Sequence, residues 1–435
     1  MARRAELDHG ETTMTATAPQ TATAPQTGTA LPRAYLLWVS GAVVSILGNG
    51  VLYFALGWTA TGHSGATAGL VLTAVNVPRA LFLLLGGVLG DRIGARLVMI
   101  TCDATMIALC LLFALVLHLS GPQVWLLLAT GLALGLVDAF YLPASGSMPR
   151  LLVQPAHLPR ALGLRQAGGQ VANLVAGPVG GLLVVSVGLA GVLLLDALSF
   201  AVVLVVLLLI RPTGGGVPAG GSLAAAALDG LRLSLTDPVL RTVLLLTGAF
   251  GGLVLPAFSI LMPMLAHTHG WNARGAGLVA GANALGMIAV TLAIARRGAL
   301  ERAGLAAVWG TVVAAAGLAL VALSGGPVLP SADFTLLAHG LLPAALGALV
   351  CGAGTGLFAG HASPTVLSAT PGTHLARVQA VLVLTQTVTL LVTNNLLGGL
   401  ADLTGAVTST LIPAGLLLIA GLLALGSPGF RQVRS

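Results

Sequence analysis

The sequence contains no lysine, and only 7% of its 435 residues are charged. A soluble domain carries about 25% charged residues. This chain therefore cannot cover itself with a water-facing shell. All 19 basic residues are arginine, set against 12 acids for a net charge of +7. A basic balance of that size would suit nucleic acid only if it were concentrated on one face. Here the arginines scatter over short loops between apolar runs, so nucleic acid is excluded as a partner. The missing lysine, with abundant Ala, Gly, Leu and Val, matches the codon bias of a GC-rich bacterial genome. Cysteine is scarce too: Cys102, Cys110 and Cys351 all fall in apolar segments, with no C-x-x-C pair. That rules out a secreted disulfide framework and leaves helix packing as their expected role. There is no GxxxxGK[ST], no HExxH and no nucleophile–base arrangement, so no enzyme, cofactor or metal site is expected. His267-x-His269 lacks a third ligand. His63, His118, His339 and His361 read as loop or helix-edge residues.

What the chain does have is length and apolarity. It is 57% hydrophobic, with a mean hydropathy of +1.01. A membrane-crossing helix needs about 20 mostly apolar residues. Twelve such runs are expected: 34–60, 65–90, 97–119, 122–147, 161–187, 189–210, 239–266, 273–295, 303–324, 335–361, 376–400 and 406–426. The fold class is thus an all-α membrane protein in contact with the lipid bilayer. With the N-terminus placed inside, 17 of the 19 arginines fall on the cytoplasmic side. Arg274 alone falls outside, and Arg79 lies within a span. This asymmetry follows the positive-inside rule and predicts cytoplasmic N- and C-termini.

Composition divides the chain further. Residues 1–33 are polar, with TATAPQ repeated at 15–20 and 21–26, and read as a disordered cytoplasmic tail. Residues 34–210 and 239–426 hold six expected spans each. Residues 211–238 form a linker: a Gly/Pro-rich stretch, then a surface helix over 222–236, then Asp237-Pro238 as cap and first turn of the seventh span. Residues 427–435 make a second cytoplasmic tail. The two halves echo each other. His157-Leu-Pro-Arg160 matches His374-Leu-Ala-Arg377 at an offset of 217, and Gly180-Gly181 matches Gly398-Gly399 at 218. Pro149 and Pro364 are expected to open the two corresponding loops.

Ionisable residues inside the apolar runs carry the functional expectation. Each costs about 2.5–3.5 kcal/mol at the bilayer centre on insertion scales, so such residues are functional candidates. Arg79 precedes Asp91 by twelve residues, and Asp138 precedes Arg150 by twelve. At 1.5 Å per residue both lie about 18 Å deep, and can pair. Asp103 is shallower and is a second partner for Arg79. A carboxylate beside a cation can exchange that partner for a proton, so Asp138, Arg79 and Asp103 are the proton-coupling candidates. Asp196, near the outer end of the sixth span, is expected to be solvated. Polar residues also recur at helical spacing. Gln166, Gln170, Asn173 and Gly177 share one face of the fifth span, and Gln379, Gln386, Thr389 and Thr393 share one face of the eleventh. These stripes are expected to face a cavity or the other half of the molecule. Asn49 is a further cavity candidate.

One turn is more specific. Gly87-Val-Leu-Gly-Asp-Arg-Ile-Gly-Ala-Arg96, between the second and third spans, resembles motif A of the major facilitator superfamily, a large class of secondary transporters. Gly87, Leu89, Asp91, Arg92, Gly94 and Arg96 carry the match. Ala176-Gly-Pro-Val-Gly-Gly181 is similar to the core of motif C of proton-coupled drug exporters, with Asn173 where that motif has a glycine. Leu228-Asp-Gly-Leu-Arg232, Asp237-Pro-Val-Leu-Arg241, Ser45-x-x-Gly48 and Asp196-Ala-Leu-Ser-Phe200 resemble the macrolide-efflux-like branch. The second copy of motif A is degenerate at Arg296-Arg-Gly-Ala-Leu-Glu-Arg302.

The resemblance implies the major facilitator fold, twelve transmembrane helices in two six-helix bundles, in a bacterial plasma membrane. The chain is expected to be a monomer. The implied activity is export of an amphipathic small molecule (a drug, antibiotic or secondary metabolite) by proton antiport with alternating access. An importer or facilitator of a small metabolite is the alternative transporter. A non-transporting scaffold or enzyme is the alternative of another class. In the implied mechanism Gly87, Asp91, Arg92, Gly94 and Arg96 form a gating loop. Asp91 faces the N-terminal end of the eleventh helix, held by Arg92 and Arg96. Gly177, Pro178, Gly180 and Gly181 form a kink that favours export. The Asp91→Asn variant is expected to fold normally and to lose transport, measured as substrate flux at matched protein density. Flux at the wild-type level would remove Asp91 from the gate.

Overall fold

The computed structural model describes residues 31–210, 231–298, 300–324, 340–370, 375–427 and 430. The tail at 1–30, most of the linker at 211–230, the loop holding His339, the His374 match and most of the C-terminal tail lie outside the described residues. So do the side chains of Asp91 and Gln379. Among the described residues there is no strand, and eleven continuous helical stretches are long and apolar enough to cross a membrane.

The first four are α1 (Arg33–Thr61), α2 (Gly65–Ile93), α3 (Ala95–Ser120) and α4 (Val124–Leu152). The stretch Leu158–Leu209 is broken at Gly188, whose φ of 68° is not helical. It therefore comprises α5 (158–187) and α6 (189–209), which brings the crossings to the expected twelve. The remaining ones are α7 (Pro238–Thr268), α8 (Ala273–Arg297), α9 (Ala303–Leu323), α10 (Leu341–Ala369), α11 (Leu375–Thr404) and α12 (Ala406–Leu425).

Several helix ends follow directly from the sequence. Asp237 accepts hydrogen bonds from the Val239 and Leu240 N–H groups at 2.8 and 2.9 Å, and Pro238 occupies the first helical position, as expected. Gly188 and Gly405 both take positive φ, 68° and 84°, between α5 and α6 and between α11 and α12. Their separation is the 217-residue offset of the sequence repeat. A side chain at either position would strain the turn.

Other expectations are corrected. Pro149 and Pro364 do not open loops; they lie inside the closing turns of α4 and α10. α7 is not a uniform α-helix. It widens to π geometry at Phe250–Val254 and Ala257–Leu261, on either side of Pro256, which has no N–H to give the ladder.

Within residues 33–210, α2 packs on α4, and α1 and α3 pack on the α5–α6 stretch. Within residues 238–425, α10 packs on α8 and α9, and α9 packs on α12. The tightest contacts run through glycine. A Cβ at Gly135 of α4 would overlap the Val75 carbonyl of α2, and one at Gly86 would overlap the Ala139 carbonyl. The second half repeats the device, with Gly286 against Leu349 and Gly352 against Asn283. All three cysteines are buried. Large apolar side chains point outward along the spans, among them Leu81, Leu119 and Leu209, which gives the lipid-facing surface.

Replacing Gly135 by leucine forces α2 and α4 apart. The expected cost is about 1–3 kcal/mol, the range for overpacking a close contact. Thermal unfolding of the purified protein, followed by tryptophan fluorescence, measures it. A solvent-open glycine such as Gly146, with nothing within 4 Å of its Cβ position, serves as the insensitive control.

Candidate functional site

Two seams join residues 33–210 to residues 238–425, and both lie toward the end of the molecule away from the 87–96 turn. In the first, α5 meets α8. A Cβ on Gly181 would overlap the Ala273 carbonyl, one on Gly277 would lie 2.7 Å from the Gly177 carbonyl, and one on Gly281 would lie 2.6 Å from Pro178 Cγ. Pro178 has no N–H to donate within α5, and its ring is the surface that Gly281 accommodates. In the second seam, α2 meets α11. A Cβ on Gly69 would lie 2.5 Å from the Asn394 carbonyl, and Asn395 Nδ2 donates to Thr73 Oγ1 at 2.7 Å. α1 and α7 close the same end, with the Trp58 and His267 rings 4.2 Å apart. The structure thus places Gly177, Pro178 and Gly181 at the contact between the halves. Gly180 instead receives Phe54 of α1.

Toward the other end, α5 opens onto a cavity of ≈ 550 Å³ lined by Gln166, Gln170, Asn173, Arg165, Ile46 and Leu162, with Gly163 and Gly169 between them. The three expected polar residues of α5 therefore share the cavity wall. Arg165 is the charged group of that wall. Its guanidinium lies 5.6 Å from the Trp38 ring centroid and donates to Ser145 Oγ at 3.1 Å. Asn49 lies one turn beyond Ile46 and has a buried, unpartnered Oδ1. Gln386 goes elsewhere. It packs on Gly251 in the π segment of α7, beside Thr389 on Gly252, within its own half. The widened turns of α7 bring those glycines against α11, and sequence spacing carries no sign of that.

The midplane charges form one chain across three helices. Arg79 lies fourteen residues from either end of α2, and Asp138 fourteen from either end of α4. They meet at 3.7 Å, Nη1 to Oδ2, as the spacing expects. Two further members come from residues not singled out in the sequence. Tyr53 of α1 donates its hydroxyl to Asp138 Oδ2 at 2.8 Å. Asn76 accepts from Arg79 Nη2 and donates from Nδ2 to the Leu72 carbonyl at 2.8 Å. The i, i+3 spacing of Asn76 and Arg79 was the available signal. Asp103 does not join this network. It is fully buried on α3, and neither oxygen has a hydrogen-bond partner.

Asp196 is not solvated as expected. It is 1% exposed, with Oδ1 accepting from Ser199 Oγ at 2.9 Å. Because α6 restarts at Leu189, Asp196 sits two turns inside the helix, and Gly48 of α1 leaves it room. The Ser45-x-x-Gly48 and Asp196–Phe200 segments, noted separately in the sequence, are thus one packing unit. His361, expected at an edge, is also buried. Its Nδ1 donates to the Leu357 carbonyl at 2.8 Å and its Nε2 accepts from the Leu300 N–H at 3.0 Å, fixing the α8–α9 turn.

The 87–96 turn is anchored to its own half through Arg96. Arg96 reaches out of the turn to α6. Its Nε donates to the Leu207 carbonyl at 2.8 Å and its Nη2 to the Leu208 carbonyl at 3.2 Å. These are among the unsatisfied carbonyls closing α6, where a cation is favoured. Gly94 takes a φ of 92° and ends α2. Arg92 is exposed, and nothing within 4 Å meets a Cβ at Gly90; a Cβ at Gly87 just touches Pro143.

Removing one partner of a half-buried pair at the middle of two spanning helices leaves an uncompensated charge. Arg79→Leu is therefore expected to destabilise the protein by about 2–4 kcal/mol, and adding Asp138→Asn to recover most of that loss. A double-mutant cycle on thermal unfolding reads the coupling; additive losses would mean that the pair contributes nothing.

Residues 38–347 match the sequence model of the Major Facilitator Superfamily. The chain is 27% identical over 243 residues to the multidrug efflux pump Tap of Mycolicibacterium fortuitum, a match covering 52% of this chain and 58% of that protein. It is 26% identical over 308 residues to Tap of Mycobacterium tuberculosis, covering 66% and 71%. Among solved structures, a mutant of the nucleoside transporter NupG has a TM-score of 0.71 at 15% identity, with 91% of this chain and 100% of that one covered. By family match and by fold, this multi-pass membrane protein belongs to the Major Facilitator Superfamily and is a transporter.

Proposed function

We propose that the protein exports an amphipathic small molecule by alternating access, driven by inward movement of protons across a bacterial plasma membrane. The observation that carries the coupling reading is the Arg79–Asp138 contact at the middle of two spanning helices, 3.7 Å long and shared with Tyr53. A carboxylate that near the bilayer centre has three ways to offset its charge: a cation, hydrogen bonds, or a proton. Asp138 has the first two here. In the proposed cycle, protonation of Asp138 releases Arg79, and loss of that proton to the other side restores the pair. One proton then crosses for each return, while substrate leaves by the opposite route.

The cavity supports the substrate class. Its wall combines aliphatic side chains with the amides of Gln166, Gln170 and Asn173. Such a surface takes an apolar body that carries hydrogen-bonding groups. The similarity to multidrug efflux pumps of mycobacteria agrees with that choice. With both termini cytoplasmic, the cavity opens inward, where an exporter would load. In this reading the 34–210 and 239–426 bundles rock about the Gly177–Gly181 seam.

The test is efflux from proteoliposomes with and without an imposed pH gradient. Efflux is expected to accelerate when the substrate-receiving side is acidic. Asp138→Asn should abolish that acceleration while substrate binding stays within about threefold of wild type, a difference of less than 1 kcal/mol. Efflux indifferent to the gradient would defeat antiport, and an unchanged pH dependence in Asp138→Asn would remove this carboxyl as the carrier.

A further inference from the structure

The last turn of α11 carries Asp402, an acid at the end of a helix where the macrodipole disfavours negative charge. Its contacts lie on another helix. Oδ1 accepts from the Gly65 N–H at 2.7 Å, and Oδ2 accepts from the Ala66 N–H at 2.8 Å. These are the first two N–H groups of α2, and such groups have no partner within their own helix. The third, on Thr67, is taken locally by Ser64 Oγ at 3.0 Å. The two chain segments are 337 and 336 residues apart, so Asp402 caps a helix in the opposite half of the molecule.

Other contacts surround this one. The Gly65 and Gly398 backbones approach so closely that a Cβ on either would overlap the other's carbonyl. Two turns deeper, Asn395 donates to Thr73. Among the described residues, these hydrogen bonds of Asp402 and Asn395 join the two halves, and all belong to the α2–α11 seam.

We propose that Asp402 is the latch that holds this end of the transporter closed. The inference rests on the alternating-access reading. In the state drawn here the carboxylate and the α2 N-terminus satisfy each other. Opening this end separates them, and each returns to water. α2 and α11 would then carry a carboxylate latch at each end: Asp402 of α11 on α2 at one, and Asp91 of α2, by the motif resemblance, toward α11 at the other. Only one of the two can be engaged at a time if the halves rock.

The experiment measures the gate directly. Spin labels are placed at Ser120 of α3 and Arg274 of α8, both exposed and both at this end, in the full-length protein in lipid nanodiscs. Wild type is expected to give mainly the short, closed separation. Asp402→Ala should raise the open-to-closed ratio about tenfold, since two charge-assisted hydrogen bonds are lost at a solvent-exposed site. Asp402→Asn, which keeps one acceptor, should raise it by about threefold. Leu403→Ala alters the neighbouring side chain, 86% exposed, and should leave the ratio unchanged. Unchanged distances in both Asp402 variants would overturn the latch. So would an equal shift in Leu403→Ala, which would mean that the helix end is merely loosened. The readout needs neither substrate nor a proton gradient. A failure of antiport in proteoliposomes is therefore distinguishable from a failure of the latch.

Discussion

Lipid gives two apolar helices no reason to leave it for each other, so association in a membrane depends on how closely their backbones can approach. Glycine sets that approach throughout this protein. The α2–α4 contact at Gly86 and Gly135 and the α8–α10 contact at Gly286 and Gly352 build the interior of each half by the same means. The seam between the halves uses it again at Gly177, Gly181 and Gly277. The same small residues therefore serve two purposes. Within a half they give permanent contact; between halves they give a flat surface with few interlocking side chains, which can part without unpacking either side.

Charge is used sparingly and at specific depths. Arg79 and Asp138 lie at the middle of their helices, where an unpartnered charge is most costly, and Tyr53 and Asn76 complete the hydrogen bonding around them. Arg96 and Asp402 lie at helix ends, where the backbone itself supplies the opposite partial charge. Arg96 fastens α3 to α6 within one half. Asp402 fastens α11 to α2 across the two halves. The difference is one of location: in the proposed alternating access the first contact has no need to break, and the second lies across the surface that would open.

The twelve crossings, the cap at Asp237 and the meeting of Arg79 with Asp138 were legible in the sequence, because each depends on local information: apolar length, a side chain beside its own helix start, or the rise per residue counted from a charged turn. The resemblance of 87–96 and 176–181 to family motifs was equally local. Tertiary structure decided which helices the remaining polar residues face. Asp196 is buried because α6 restarts at Leu189, after the break at Gly188, and Gln386 turns to its own half because α7 widens around Pro256. Asp103 stays apart from Arg79 because depth along a helix does not state direction around it. Asp402 carried no signal at all: its partners are backbone N–H groups more than 300 residues away. Sequence patterns report what a side chain is and how deep it lies; only the packing of one half on the other decides which backbone it meets.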